Sequence, residues 1–146
     1  MKTYYIATGL KNVEAHERAR TMFEREAGRW GIVGDWQLTY DWTLGGKIED
    51  DRLRPSVAIA EVEAVKRAAV LLMLVPGGRG THVELGVALA LDKIVIIVAA
   101  SEEEANGQYG FPPVFYRHPL VHHARTLEEA RDLAERLYKA YESRCC

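Results

Sequence analysis

Two uninterrupted apolar segments constrain the fold of this chain more than any other feature of its sequence. Residues 70–75 read VLLMLV and residues 93–99 read KIVIIVA. Short apolar runs of this length are typical of strands that are buried on both faces of a parallel sheet. Between them, residues 76–91 contain a glycine-rich turn and then a helical, apolar-rich pattern. This part of the chain therefore predicts two parallel strands connected by a helix.

The first part of the chain continues the alternation of strands and helices. Residues 3–8 (TYYIAT) are β-branched and aromatic, and they predict a strand. Asn12 can cap a helix whose apolar residues recur at helical spacing as far as Trp30, and Gly31 would end it. Residues 32–42 then contain a second predicted strand.

The later elements are predicted mainly by prolines and turn residues. Pro55 can begin a helix that extends to about Ala69. Residues 101–114 are charged at first and then rich in glycine and proline, which indicates a long loop. A short strand is predicted around residues 119–121, before a last helix.

This order of elements predicts the fold class. Alternating strands and helices with buried central strands imply a doubly wound, Rossmann- or flavodoxin-like sheet of five parallel strands with helices on both faces. A length of 146 residues fits one domain, residues 1–146. Ligands of such sheets bind at the carboxyl ends of the strands, beside the point where the strand order reverses. The candidate site therefore comprises the loops at residues 7–10, 40–43 and 76–81.

The composition argues against several classes of partner. A net charge of −2 provides no basic field for a nucleic acid polymer, and no apolar run is long enough to span a membrane. The only cysteines, Cys145 and Cys146, are adjacent and cannot cross-link a fold, which is typical of a reducing, cytoplasmic setting. Pro119 interrupts the histidine cluster at residues 118–123 and there is no cysteine cluster, so we do not expect a metal site.

The turn PGGRGT, residues 76–81, is the first candidate binding element. Its three glycines follow a strand and open a helix, so backbone amides and the helix dipole can point at one anion. Arg79 adds a positive charge. The alternative is a tight turn that needs glycine for steric reasons alone. The glycines and the arginine together favour phosphate binding, and we expect these residues to contribute: Gly9, Gly78, Arg79, Gly80 and Thr81.

Glu84 has two interpretations that the local sequence leaves open. Thr81 and Glu84 have the T-x-x-E spacing of a capping box, which by itself accounts for Glu84. A carboxylate at a helix N-terminus is also stabilised as the anion, which suits a nucleophile equally well. The same T-x-x-E spacing at Thr126 and Glu129 predicts the start of the last helix.

Glu61 lies on the apolar side of the helix that precedes residues 70–75. On a helical wheel, the valines and alanines between residues 57 and 69 cover one broad arc, and Glu61 falls near its middle. A glutamate there is costly unless it is paired, for example with Arg79, or lines a cavity. If Glu61 and Glu84 converge on one pocket, they supply the nucleophile and the acid that cleavage of a glycosidic bond requires.

Aromatic side chains complete the candidate site. Tyr4 and Tyr5 are adjacent on the first strand and therefore face opposite sides of the sheet, and either can be a core residue. Asp41 and Trp42, at the end of the second strand, can offer a hydrogen bond and a stacking surface to a planar base, although Trp42 can equally cover the core. His16 falls near the apolar face of the first helix, where we expect it to pack.

Three parts of the sequence resemble one known family: YYIATG at residues 4–9, Glu61, and GTHVELG at residues 80–86. This is the nucleoside 2-deoxyribosyltransferase-like family, which includes N-hydrolases of nucleoside 5′-monophosphates, and the similarity extends from residue 3 to about residue 98. It implies that Glu84 attacks the anomeric carbon and forms a covalent glycosyl-enzyme. It also implies that Glu61, where the family usually has aspartate, protonates or orients the base, that Tyr5 orients the nucleophile, and that the protein is a homodimer or higher homo-oligomer.

A second resemblance points to the same chemistry. The string PGGRGTHVE fits the pattern PGGxGTxxE and resembles the cytokinin-activating phosphoribohydrolases, although their early glycine-rich motif is missing here. Both resemblances imply cleavage or transfer of the N-glycosidic bond of a small nucleoside or nucleotide, without a cofactor. The C-terminal YESRCC does not match the groups that complete the site in some transferases, which favours a hydrolase. The alternative from another class is a nucleotide-binding sensor in which Glu84 only caps its helix.

Overall fold

A computed structural model of the chain describes residues 1–26, 30–34, 50–107 and 110–143. The described residues form a sheet of five parallel strands in the order β2-β1-β3-β4-β5. The strands are β1 (Lys2–Thr8), β2 (Trp30–Ile32), β3 (Val70–Leu74), β4 (Ile94–Val98) and β5 (Val121–Ala124). The predicted doubly wound parallel fold is confirmed.

Helices cover both faces of this sheet. They are α1 (Val13–Thr21), α2 (Arg54–Arg67), α3 (Arg79–Ala90), α4 (Glu102–Asn106) and α5 (Leu127–Glu142). A π-helical turn (Met22–Glu26) extends α1, and short 3-10 turns lie at Asp51–Leu53 and Val114–Arg117. Within the described part of the chain, none of these helices is both long and apolar enough to cross a membrane.

The alternation of side chains along β1 creates two separate core layers. Tyr5 and Ala7 pack in the layer under α2 and α3, whereas Tyr4 and Ile6 pack in the layer under α1 and α5. Successive residues of a strand point to opposite faces, so adjacent tyrosines serve different layers. β3 lies at the middle of the sheet and is buried along its whole length, which explains why its residues are all apolar.

The predicted extension of the first helix to Trp30 is wrong. α1 ends at Thr21 and gains only the π-helical turn, whereas Trp30 begins β2 and Gly31 continues it. Trp30 is 4% exposed, and its ring packs edge-on against Phe23 and Tyr138. An apolar residue at helical spacing predicts burial, but it does not specify which element buries it.

Two local predictions also need correction. Asn12 precedes α1, but its side-chain amide donates to Thr8 Oγ1 at 3.0 Å, and its side chain makes no capping hydrogen bond to α1. Residues 101–114 are not a loop throughout, because they include α4. Ser101 begins that helix as its cap, with Oγ accepting a hydrogen bond from Glu104 N at 3.1 Å.

The carboxyl ends of β1 and β3 bring two loops into contact. Thr8 is in register with Leu74, so the residues that follow the two strands are neighbours. A Cβ at Gly9 would lie only 3.1 Å from Pro76 O, which makes this a close backbone approach. α1 covers one face after β1 and α3 covers the other face after β3, so this is the point where the strand order reverses.

Candidate active site

Glu84 and Tyr5 form the central contact of the candidate site. Tyr5 Oη donates a hydrogen bond to Glu84 Oε1 at 2.5 Å. Tyr5 is fully buried on β1, in the layer covered by α3, and Glu84 precedes the buried Leu85 of α3. Strand alternation and the buried face of the helix thus place the phenol and the carboxyl group against each other.

The predicted capping box of Thr81 and Glu84 is wrong. α3 begins at Arg79, with Gly78 as its cap residue, so Thr81 lies in the first turn. Thr81 Oγ1 accepts a hydrogen bond from Gly78 N at 3.1 Å. Glu84 lies about a turn further along, past the unpaired amides of the helix N-terminus, and its carboxyl group contacts Tyr5. Capping therefore does not account for Glu84.

Burial makes Glu84 an unusually weak acid. Its pKa is raised from 4.5 to about 8, mainly because burial disfavours the charged form. The hydrogen bond from Tyr5 lowers the pKa, because it stabilises the carboxylate, and the nearby charge of Glu61 raises it. A carboxyl group that titrates close to neutral pH is typical of catalytic sites.

Glu61 approaches Glu84 from α2. It lies on the same helical face as the buried Ala64 and Val65 and is itself partly buried. The two carboxyl groups are close enough for the charge of Glu61 to affect the pKa of Glu84. The apolar arc expected around Glu61 is narrower in the structure, because Val62 is 37% exposed.

Gly34, which the sequence did not single out, packs against the tyrosine. It follows β2 with a φ of 66°, in the left-handed region that favours glycine. A Cβ at Gly34 would lie 2.3 Å from Ala64 Cβ and 3.3 Å from Tyr5 Cε2. Both the backbone conformation and the lack of space therefore require glycine beside the Tyr5 ring. The sequence alone identifies Gly34 only as an ordinary turn residue.

The turn between β3 and α3 combines a steric requirement with open space. A Cβ at Gly77 would lie 2.7 Å from Thr81 Cγ2 and 3.1 Å from Met73 Cε, so close packing requires glycine there. At Gly78 and Gly80, by contrast, the position of a Cβ has no neighbour within 4 Å among the described residues. Steric crowding thus explains the glycine at position 77 but not those at positions 78 and 80.

The N-terminus of α3 defines which groups an anion would meet at this turn. Arg79 is the first residue of the helix and is exposed. The Gly78 amide already donates to Thr81, so the amides available in the first turn include those of Arg79 and Gly80. The helix dipole adds a partial positive charge at the same point.

Some of the predicted residues lie elsewhere. Asp41 and Trp42 are outside the described residues, and their contact with a base stays a prediction. His16 is fully buried in α1, as expected for packing. Among the residues that the structure describes, no group of three histidine, cysteine, aspartate or glutamate side chains could hold a metal ion.

The fold and these contacts define a doubly wound α/β protein with a partly buried carboxyl group where the strand order reverses. Among solved structures, the chain is similar to the CMP N-glycosidase BcmB from Clostridium botulinum, with 20% identity, 92% of this chain and 99% of that chain covered, and a TM-score of 0.52. It is also similar to a conserved protein from Enterococcus faecalis, with 14% identity, 93% and 98% coverage, and a TM-score of 0.68. No protein-family model matches the chain, and no curated protein is significantly similar to it. At these identities, the likeness establishes the fold.

Proposed function

We propose that this protein cleaves the N-glycosidic bond of a nucleoside, preferably as its 5′-monophosphate, through a glycosyl ester on Glu84. The observation that carries the proposal is the contact between Glu84 and the Tyr5 phenol, with the Glu61 carboxyl group nearby. Two carboxyl groups supply the nucleophile and the acid for this chemistry. The likeness of fold to a CMP N-glycosidase supports the choice of bond.

The reaction has two displacement steps. In the first step, a Glu84 carboxylate oxygen attacks C1′ of the sugar. The C1′–N bond breaks, its electron pair leaves with the base, and Glu61 donates a proton to that base. In the second, Glu61 takes a proton from water, whose oxygen attacks C1′ and displaces Glu84. Both carboxyl groups are then restored. An acceptor base in place of water would give transfer, and we favour water.

Glu84 has to lose its proton before it can attack. Because its pKa is about 8, most of it is protonated in the free protein at neutral pH. The Tyr5 hydroxyl stabilises the ionised form through its hydrogen bond. A carboxyl group with a raised pKa is also suited to be the acid of the pair, so the pH profile of the reaction tests the assignment of roles.

The 5′-phosphate would bind at the turn before α3. Arg79 supplies a charge, and the amides of Arg79 and Gly80 supply hydrogen-bond donors at the positive end of the helix dipole. Open space around Gly78 and Gly80 allows a ligand to approach the backbone closely. Binding a remote phosphate orients the reacting bond over Glu84.

Two alternative functions, a nucleotide-binding sensor and a phosphoribohydrolase, make different use of Glu84. In the nucleotide-binding sensor we expect Glu84 to act only as a cap, but α3 begins too early for that role, so a sensor would need another use for Glu84. A phosphoribohydrolase of the cytokinin-activating type stays an alternative with the same bond and the same turn, because PGGRGTHVE fits its pattern.

Glu84→Gln is the direct test. Glutamine preserves the shape and can still accept the hydrogen bond from Tyr5, but its neutral amide is a poor nucleophile. We expect base release to slow by about 10³-fold or more. The assay is a chromatographic screen for free base over nucleosides and their monophosphates, with and without an added acceptor base.

Glu63→Gln is the matched control, because Glu63 is an exposed carboxylate on α2 that pairs with Lys66 at 2.6 Å. It should retain the wild-type rate. Unchanged base release in Glu84→Gln would disprove the covalent role of Glu84. Formation of a new nucleoside in the presence of the acceptor base would identify a transferase.

A further inference from the structure

His82 makes two contacts in the first part of α3 that its place in the sequence does not predict. Its ring Nδ1 lies 2.7 Å from Gly78 O, and its Nε2 lies 3.1 Å from Tyr116 Oη. The two rings are parallel, with an angle of 1° between their planes and 5.8 Å between their centroids. His82 therefore connects the turn before α3 with the 3-10 turn Val114–Arg117 that contains Tyr116.

The chemistry of the partners assigns the protons of this contact. A carbonyl oxygen can only accept, so Nδ1 of His82 carries a proton and donates to Gly78 O. Tyr116 is 3% exposed, and burial raises the pKa of its phenol to about 12, so the hydroxyl keeps its proton and can donate to Nε2. The hydrogen-bond chain runs from the Tyr116 hydroxyl through His82 to the Gly78 carbonyl.

This hydrogen-bond chain adds side-chain contacts to a turn that the backbone of α3 also holds, because Gly78 O accepts from His82 N at 3.3 Å. In the part of the chain that the structure describes, Gly78 and Gly80 have no close neighbours around a Cβ position, and glycine has more conformational freedom than any other residue. Side chains of the first turn hold both polar groups of Gly78, since Thr81 accepts from its amide and His82 donates to its carbonyl oxygen. Tyr116 in turn anchors His82 to a buried part of the molecule.

We propose that His82, anchored by Tyr116, is a positioning residue that holds the turn before α3 in the conformation that binds the 5′-phosphate. The proposal rests on the proposed function. Both ring nitrogens of His82 face protein atoms, so His82 acts through the turn and does not contact the phosphate itself. A preorganised turn loses less conformational freedom when it binds a ligand, which increases affinity.

Four substitutions separate the two contacts of His82. Asparagine places its amide where Nδ1 lies, so His82→Asn keeps the contact with Gly78 and loses the contact with Tyr116. Tyr116→Phe loses the same hydroxyl contact and preserves the packing of the ring. His82→Gln loses the short contact with Gly78, and His82→Ala loses both contacts. His122→Asn, on β5, is the control histidine substitution.

The first measurement is the binding of inorganic phosphate, followed through the amide chemical shift of Gly80. We expect the dissociation constant to rise about twofold to tenfold in His82→Ala and His82→Gln, as the loss of one or two neutral hydrogen bonds implies. We expect a smaller rise in His82→Asn and Tyr116→Phe. The double variant of these two should be no worse than either alone, because both remove one hydrogen bond. His122→Asn should match the wild type.

The second measurement compares turnover of a monophosphate with turnover of its nucleoside. His82→Ala should raise KM for the monophosphate by the factor by which it raises the dissociation constant for phosphate, while kcat for the monophosphate stays unchanged. For the nucleoside, kcat and KM should both stay unchanged. Equal losses on both substrates, additive effects of His82→Asn and Tyr116→Phe, or a wild type that binds no phosphate would each overturn the proposal. A wild type that binds phosphate but releases no base refutes the proposed function and leaves the phosphate titration to decide the role of His82.

Discussion

At the scale of single residues, the ionisation of Glu84 determines the expected pH dependence of the reaction. Only the anion of a carboxyl group can attack C1′, and the pKa of Glu84 is about 8 because of burial. We therefore expect the ionisation of Glu84 to contribute a rise of kcat/KM with pH that is complete above about pH 8, opposed wherever Glu61 loses the proton that it donates to the base. An acid in the same position would give the opposite profile, with a rate that falls above that pH. Initial rates of base release across this range distinguish the two roles.

The hydroxyl of Tyr5 should shift this profile. Its hydrogen bond to Glu84 lowers the pKa of the carboxyl group, so Tyr5→Phe should raise that pKa and move the rise in kcat/KM to higher pH. Tyr4→Phe is the matched control, because Tyr4 is equally buried on the same strand but packs in the opposite layer. A profile that is unchanged in Tyr5→Phe, or shifted equally in both variants, would contradict this role of Tyr5.

At the scale of elements, the turn before α3 has one glycine that packing requires. In Gly77→Ala the new methyl group would lie 2.7 Å from Thr81 Cγ2, and Thr81 also accepts the hydrogen bond from Gly78 N. We expect a loss of about 1–3 kcal/mol in the free energy of unfolding.

Gly86, inside α3, is the matched glycine. No described residue lies within 4 Å of the position of its Cβ, so Gly86→Ala should raise the free energy of unfolding by up to about 1 kcal/mol through helix propensity. Urea denaturation of both variants measures the difference. Equal effects of the two substitutions would show that packing at Gly77 is not the reason for glycine there.

The sequence predicts elements well where local chemistry alone determines them. The apolar runs give β3 and β4, and Thr126 does cap α5, with its Oγ1 accepting from Glu129 N at 3.1 Å. The same T-x-x-E pattern at Thr81 misplaces the start of α3, because the turn packs closely enough for Thr81 to bond the Gly78 amide instead. Trp30 fits a helical pattern although it lies in a strand. The error at Trp30 arises from tertiary contacts that local spacing does not encode, whereas the hydrogen bond between Thr81 and Gly78 spans only three positions.

The residues of the candidate site also differ in whether a local sequence pattern could identify them. Glu61 could be selected from a helical wheel, whereas strand alternation leaves Tyr4 and Tyr5 open and only the family resemblance selects Tyr5. Gly34 and His82 could not be selected, since Gly34 packs against distant residues and one of the two partners of His82 lies far along the chain. His82 and Tyr116, for example, are separated by 34 positions. Contacts between distant residues follow from the fold and not from any local pattern.

At the scale of the whole molecule, the partly buried carboxyl group of Glu84 couples the stability of the protein to pH. Unfolding exposes Glu84 and returns its pKa from about 8 to 4.5. Between these values the native protein holds a proton that the unfolded chain has released, so the free energy of unfolding falls as the pH rises through this range. The shift corresponds to on the order of 5 kcal/mol, which is large beside the total stability of about 5–15 kcal/mol that is usual for a domain.

Glu84→Gln should remove this dependence, because glutamine is neutral at every pH. The difference in the free energy of unfolding between the variant and the wild type should be roughly constant below pH 4.5. It should rise in favour of the variant between pH 4.5 and 8 and reach several kcal/mol above pH 8. Urea denaturation across the pH range measures the difference, and Glu63→Gln, at an exposed ion pair, should show no comparable rise. A difference that does not grow with pH would mean that Glu84 ionises without a desolvation cost. If Glu84→Gln is more stable than the wild type and loses turnover, the Glu84 carboxyl group serves the reaction at a cost to the stability of the fold.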